Sequence, residues 1–144
     1  MTWNDHLLTT PEQIGALLAR SKRIAVLGIK PDTSAPAYYV PAYAQSAGYE
    51  IIPVPVYFSD VKEILGEKVF RSLADVPGEI DIVDVFRRPQ DIPQHLDDII
   101  ASKPKAVWFQ LGIRNDAAAQ ALADAGIDVV QDHCILVELK RLGR

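Results

Sequence analysis

The chain has 144 residues, 49% apolar and 24% charged, with 15 basic and 19 acidic side chains and a formal net charge of −4. At roughly 150 residues per domain, residues 1–144 are expected to form one domain, and a chain of this size buries roughly 68–70% of its unfolded surface, enough for a core without disulfides or structural metal. The acidic balance argues against a nucleic-acid partner, the single Cys134 excludes an intrachain disulfide framework or multi-thiolate metal site, and no apolar run approaches the roughly 18 residues of a membrane span. Met1 to His6 lacks the basic and apolar regions of a secretory signal, so a cytoplasmic protein is expected.

The first helix has a clear start. Thr10-Pro11-Glu12-Gln13 places a hydroxyl at the N-cap, proline at the first helical position and glutamine at the third, a capping box, and Ile14, Leu17 and Leu18 follow at helical spacing. Arg23 to Leu27 is a short apolar run stopped by Gly28, a buried strand. Ala37 to Ala47 is expected to be helical and to end at Gly48, with Pro41 forcing a kink or a later start. Tyr49 to Val56 is the second strand, its ladder ending near Pro53 and Pro55.

Asp60 to Arg71 carries the weakest pattern: a helical turn, Gly66, and a short third strand over Lys68 to Phe70. Asp81 to Phe86 is the fourth strand. Ile92, Leu96, Ile99 and Ile100 then share one face of an amphipathic helix. Lys105 to Gln110 is the fifth strand; Asn115 caps a helix that runs to Ala125 and ends at Gly126. Ile127 to Val130 is the sixth strand, and Cys134 to Leu142 the closing helix.

Strands apolar on both faces, alternating with helices through short connections, define an α/β protein: a Rossmann-like, open, mainly parallel sheet with helices on both faces. Ligands of such sheets bind beyond the carboxyl ends of the strands, where the strand order reverses, so the loops after the strands are the candidate site.

After strand one, Gly28 permits a sharp turn or close backbone approach, and Ser34 with the next helix start can receive a phosphate, Lys30 adding charge. The same residues also suit an ordinary strand–helix loop with a capping serine. Neither the dinucleotide fingerprint nor the nucleoside-triphosphate loop is present. After strand two, the acid that usually meets a ribose is lacking, and Asp60 is the first carboxylate. After strand four, Phe86 offers an apolar face, and Arg87 and Arg88 suit a bidentate phosphate contact, or else a solvated pair or an ion pair with Asp84 or Asp91. After strand five, Gln110 and Gly112 offer an amide and close backbone approach, or simply a turn before Asn115.

Asp132-His133-Cys134 lacks the spacing of a zinc set, and Cys134 reads as a small buried hydrophobe. His6, His95 and His133 are scattered, and His95 is expected in solvent on a helix face beside Gln94 and Asp97. The carboxylates Asp81, Asp84, Asp97, Asp98, Asp124 and Asp128 read as surface. This chemistry points to binding, and no enzymatic activity is expected.

Taken together, Ile24 to Gly28, Ser34 to Val40, Gly48-Tyr49 with Ile52-Pro53-Val54, Asp81 to Arg87, Trp108 to Ile113 and Val129 to Cys134 carry a resemblance over roughly residues 10 to 142. The chain resembles the small single-domain CoA-binding proteins, similar in fold to the N-terminal CoA-binding domain of the succinyl-CoA synthetase alpha subunit. The resemblance implies coenzyme A, or an acyl-CoA, across the carboxyl edge of the sheet. Gly28, Ile29, Lys30, Ser34, Ala35, Pro36 and Ala37 would hold the pyrophosphate, Phe86 and Arg87 would line the pocket, and Gln110, Gly112 and Ile113 would lie near the pantetheine arm. Pro55 falls where the family commonly has the asparagine of Pro-Val-Asn-Pro followed by a basic residue, and His133 replaces the arginine of Asp-Arg-Cys.

The expected function is therefore non-catalytic binding of CoA or acyl-CoA, as sensor or carrier, with a protein partner left open. An NAD(P)-linked enzyme or redox sensor in the same cleft, or an interaction module with a vestigial nucleotide cleft, are the alternatives. The related ligase needs further domains that 144 residues do not accommodate.

Overall fold

A computed structural model describes residues 3–144; Met1 and Thr2 of the N-terminal stretch lie outside the described residues. In chain order, the elements are α1 (Pro11–Arg20), β1 (Arg23–Leu27), α2 (Pro36–Ser46), β2 (Glu50–Val54), β3 (Glu63–Ile64), β4 (Glu67–Lys68), β5 (Ile82–Val85), α3 (Leu96–Ser102), β6 (Ala106–Phe109), α4 (Asp116–Asp124), β7 (Asp128–Val130) and α5 (Ile135–Arg141). Short 3-10 turns cover Trp3–His6, Leu73–Asp75, Pro89–Asp91 and Pro93–His95.

Five strands form one parallel sheet in the order β2-β1-β5-β6-β7, with β3 and β4 a separate antiparallel hairpin. The strand order reverses between β1 and β5: the chain leaves β1 for β2 on one side and returns to β5 on the other. This is the Rossmann-like α/β sheet expected from the alternating apolar runs. Even-numbered strand residues such as Ile24, Val26, Ile82 and Trp108 pack with Leu17, Leu18, Val40, Ile135 and Leu139 from α1, α2 and α5. Their neighbours Ala25, Leu27, Val83 and Phe109 pack with Ile92, Ile99, Ala118 and Leu122 on the opposite face. Burial on both faces is why the strands read as continuous apolar runs.

Local chemistry sets most boundaries. Thr10 Oγ1 accepts from the Gln13 amide at 3.2 Å, and Gln13 Oε1 accepts from the Thr10 amide at 3.1 Å, completing the capping box. Asn115 Oδ1 accepts from the Ala118 amide at 3.0 Å at the start of α4. Pro53 survives inside β2 because β2 is an edge strand; the Pro53 carbonyl accepts from the Phe70 amide at 2.9 Å on the outer side, where its missing N–H would also point.

Three expectations are corrected. α2 begins at Pro36 and runs through Pro41. Proline leaves the Ala37 carbonyl without its helical donor, and the Lys30 amide takes that place at 3.3 Å, tying the loop after β1 to the helix. The region 60–71 holds no helical turn: β3 and β4 meet through Leu65 and Gly66, with φ of 58° and 75°, a reversal suited to a tight hairpin, and the strand expected at 68–70 is β4 at 67–68. The amphipathic helix from Ile92 starts only at Leu96, because Pro93 cannot donate to the preceding turn and two 3-10 turns replace it. No helix is long and apolar enough to cross a membrane, among the described residues.

Candidate functional site

A cleft of about 210 Å³ opens where the strand order reverses, lined by Gly28, Ile29 and Lys30 after β1, Val56, Tyr57 and Phe58 after β2, and Phe86, Arg87, Arg88 and Asp91 after β5. Its floor is backbone. The Gly28 amide donates to the Val54 carbonyl and the Phe86 amide to the Leu27 carbonyl, both at 2.9 Å, so the three chains stay in register past the strand ends. Gly28 has φ of 90°, and a Cβ there would collide with the Phe86 carbonyl oxygen. Glycine is therefore required twice over, by conformation and by space.

Arg87 supplies the electrostatic centre. Its side chain is 9% exposed, yet among the described residues only Nε forms a hydrogen bond, to His95 Nε2 at 3.1 Å. Nη2 lies 3.9 Å from the Asp91 carboxylate, beyond hydrogen-bond range. The Tyr57 ring, 61% exposed, lies 5.4 Å from the guanidinium carbon, within cation–π reach. The outer edge of the fork thus keeps unspent N–H groups in the cleft. Arg88 differs: it is exposed and donates to Asp91 at 2.7 Å, which holds the Asp91 carboxyl below its ordinary range.

His95 is not in solvent as expected from the sequence. It is half-buried under Arg87, and burial first, then the Arg87 charge, holds its imidazole below the ordinary histidine range against the opposing pull of Asp98 and Asp91. Asp84, read as surface, is 1% exposed: it points from β5 into the α1–α2–α5 side of the core. Burial pushes its carboxyl up to about 8, despite the Gln110 amide donating at 2.5 Å. Asp81 and Asp98 are also partly buried. Asp81 accepts from the Lys22 and Arg23 amides at 2.8 and 2.9 Å, and Asp98 from the Leu73 and Ala74 amides at 2.9 and 3.2 Å.

The cleft brings together Gly28, Ile29, Lys30, Phe86 and Arg87 from the candidate set. Ser34 and Ala35 lie further along the same loop and Pro36 and Ala37 open α2, all four outside the cleft lining; the Ser34 amide and hydroxyl both donate to Asp32 Oδ1, at 3.0 and 2.7 Å. Pro55 is buried just behind Val56. Gln110 is spent on Asp84, while Gly112 donates to Asp132 Oδ1 at 2.6 Å and Ile113 to the Gln110 carbonyl at 2.9 Å, forming a turn apart from the cleft. Sequence reasoning missed Val56, Tyr57, Phe58 and Asp91 as lining. The signal that finds them is their place after β2 and β5, usable only once β2 and β5 are known to flank β1.

Fold and cleft together define a doubly wound parallel α/β protein whose candidate site is built from the loops after β1, β2 and β5. The chain belongs to the CoA binding domain family, whose model matches residues 22–140. It is 39% identical over 125 residues, 87% of this chain and 90% of the relative, to the uncharacterized protein YneT of Bacillus subtilis. A solved structure of cell-free ID.343 from Thermus thermophilus is 42% identical and superposes with a TM-score of 0.86, covering 93% of this chain and 99% of that one. A dinucleotide-forming acetyl-coenzyme A synthetase 1 of Ca. Korarchaeum cryptofilum shares the fold alone, at 18% identity and a TM-score of 0.65 over 75% of this chain and 25% of that one.

Proposed function

We propose that this protein binds coenzyme A or an acyl-CoA across the carboxyl edge of the sheet and holds it unreacted, as a cytoplasmic sensor or carrier. The observation that carries the reading is the Arg87 guanidinium, nine-tenths buried with its outer N–H groups unspent, beside a glycine backbone at the switch in strand order. The Asp91 carboxylate meets the fork only at 3.9 Å, which leaves solvent-reached N–H groups whose planar geometry matches a phosphate. Lys30 adds charge at the same mouth, while Tyr57, Phe58 and Phe86 supply apolar faces. The cleft's about 210 Å³ is below the roughly 300–1,000 Å³ of sites that enclose drug-sized ligands, so it takes the phosphate portion and leaves the rest of a CoA on the open edge. Binding without turnover is supported by the state of the cleft carboxylate: Asp91 is engaged by Arg88, which leaves it a poor general base.

Native mass spectrometry of the purified protein, followed by calorimetric titration with CoA and acetyl-CoA, tests this directly. The expected result is a CoA-sized adduct or saturable binding, weakened about tenfold or more by Arg87→Ala, the loss expected for one charge-assisted contact. Absence of binding at millimolar CoA would overturn the reading.

A further inference from the structure

Arg71 lies outside the cleft, on the chain between the β3–β4 hairpin and β5, and the sequence gives it no role. Its guanidinium donates to the carbonyls of Phe58 at 3.1 Å and Ser59 at 3.2 Å, more weakly to Tyr57 at 3.4 Å, and most closely to Val61. Four carbonyls of one short loop therefore converge on one side chain. Nη2 meets three of them and Nη1 the fourth, so one planar guanidinium gathers the loop from both of its ends.

The loop needs such an anchor. Residues 55–62 belong to no helix or strand, and Phe58 has φ of 64°, a conformation disfavoured for residues with a Cβ. Within the loop, the Val61 amide donates to the Phe58 carbonyl at 3.0 Å. The Tyr57 ring that this conformation projects lies on Arg87, 5.4 Å from its guanidinium carbon. A physical path thus runs from Arg71 through the loop carbonyls to Tyr57 and on to the cleft cation.

We propose that Arg71 is the positioning residue of the cleft: by gathering the 57–61 carbonyls it seats Tyr57 on Arg87 and keeps the free edge of Arg87 aimed at the bound anion. Its guanidinium is turned to the loop carbonyls and does not line the cleft. The consequence for affinity rests on the reading that the cleft takes CoA; the positioning itself does not.

Two measurements on the full chain separate these. In the ligand-free protein, the Tyr57 ring current is expected to shift the Arg87 side-chain resonances upfield. That shift is expected to vanish in Arg71→Ala as it does in Tyr57→Ala, and to shrink in Arg71→Lys, which keeps the charge but not the fork and serves if the alanine variant does not fold. In calorimetric titration with CoA, Arg71→Ala is expected to weaken binding about fivefold, and less than about twofold in a Tyr57→Ala background, the non-additivity of residues acting through one another. An Arg87 shift unchanged in the Arg71 variants, or losses that add independently, would overturn the proposal. A wild-type protein that shows the shift, loses it in Arg71→Ala and yet takes no CoA sinks the CoA reading alone and upholds the positioning role.

Discussion

Arg87 donates from Nε to Nε2 of His95 at 3.1 Å, so the cation of the cleft leans on a neutral imidazole. The proton of that imidazole must then sit on Nδ1, and a second proton would place a positive charge against Arg87. Burial and the Arg87 charge both oppose this, which is why the folded chain protonates His95 less readily than the unfolded chain.

The sign of the resulting pH dependence follows. With its folded pKa below the unfolded value, His95 contributes stability that is present above about pH 6.5 and is lost as the pH falls below it. Thermal denaturation between about pH 7.5 and 5 is expected to show a falling Tm, with the fall reduced in His95→Gln, whose amide oxygen can still accept from Arg87. Parallel profiles for the two proteins would remove His95 from the acid response.

Asp84 acts in the opposite direction. Its carboxyl is pushed up by burial to about 8 from an ordinary value of 3.8, so the folded chain keeps a proton that the unfolded chain releases. Stability from this group is complete below pH 3.8 and is lost as the pH rises through about 8. Asp84→Asn, which preserves an oxygen to accept from Gln110, is expected to raise Tm by about 3 °C or more at about pH 9 and by much less at about pH 5. An equal change at both pH values would show that the carboxyl does not titrate in this window.

Two glycines separate conformation from space. Gly28 and Gly48 have φ of 90° and 105°, but an added Cβ meets the Phe86 carbonyl at Gly28 and nothing within 4 Å at Gly48. Gly48→Ala is expected to cost about 1 kcal/mol for the backbone conformation alone, and Gly28→Ala about 2 kcal/mol or more, by urea denaturation. Gly28→Ala should also abolish CoA binding, because β1 and β5 must part to make room. Equal losses at the two positions would show that the close approach between Gly28 and Phe86 is relaxed in solution.

Much of the fold was legible because its signals are local. The Thr10 capping box, the Asn115 cap and the apolar runs of β1, β5 and β6 act over a few residues and appear where the pattern predicts. Proline acts differently at its two helical positions: the helix read across Pro41 forms without a later start, whereas Pro93 shortens the helix read from Ile92. At Pro41 the helix continues because the Lys30 amide satisfies the carbonyl that proline leaves open. At Pro93 the same helix-breaking chemistry moves the start of α3 to Leu96. Asp84 was misread because a carboxylate in an apolar strand looks like an outward residue until both faces of that strand are known to be covered.

The amino-acid sequence alone determined the α/β class, the alternation of elements and the loops that had to carry the site, since hydrophobic periodicity and capping are properties of neighbouring residues. Which loops meet was decided by tertiary structure. Tyr57, Arg71, Arg87 and His95 come together only because β1 lies between β2 and β5, and the strand order depends on packing between segments far apart in the chain. The protonation of Asp84 and His95 was decided the same way: each follows from the water excluded by elements that the local sequence does not name.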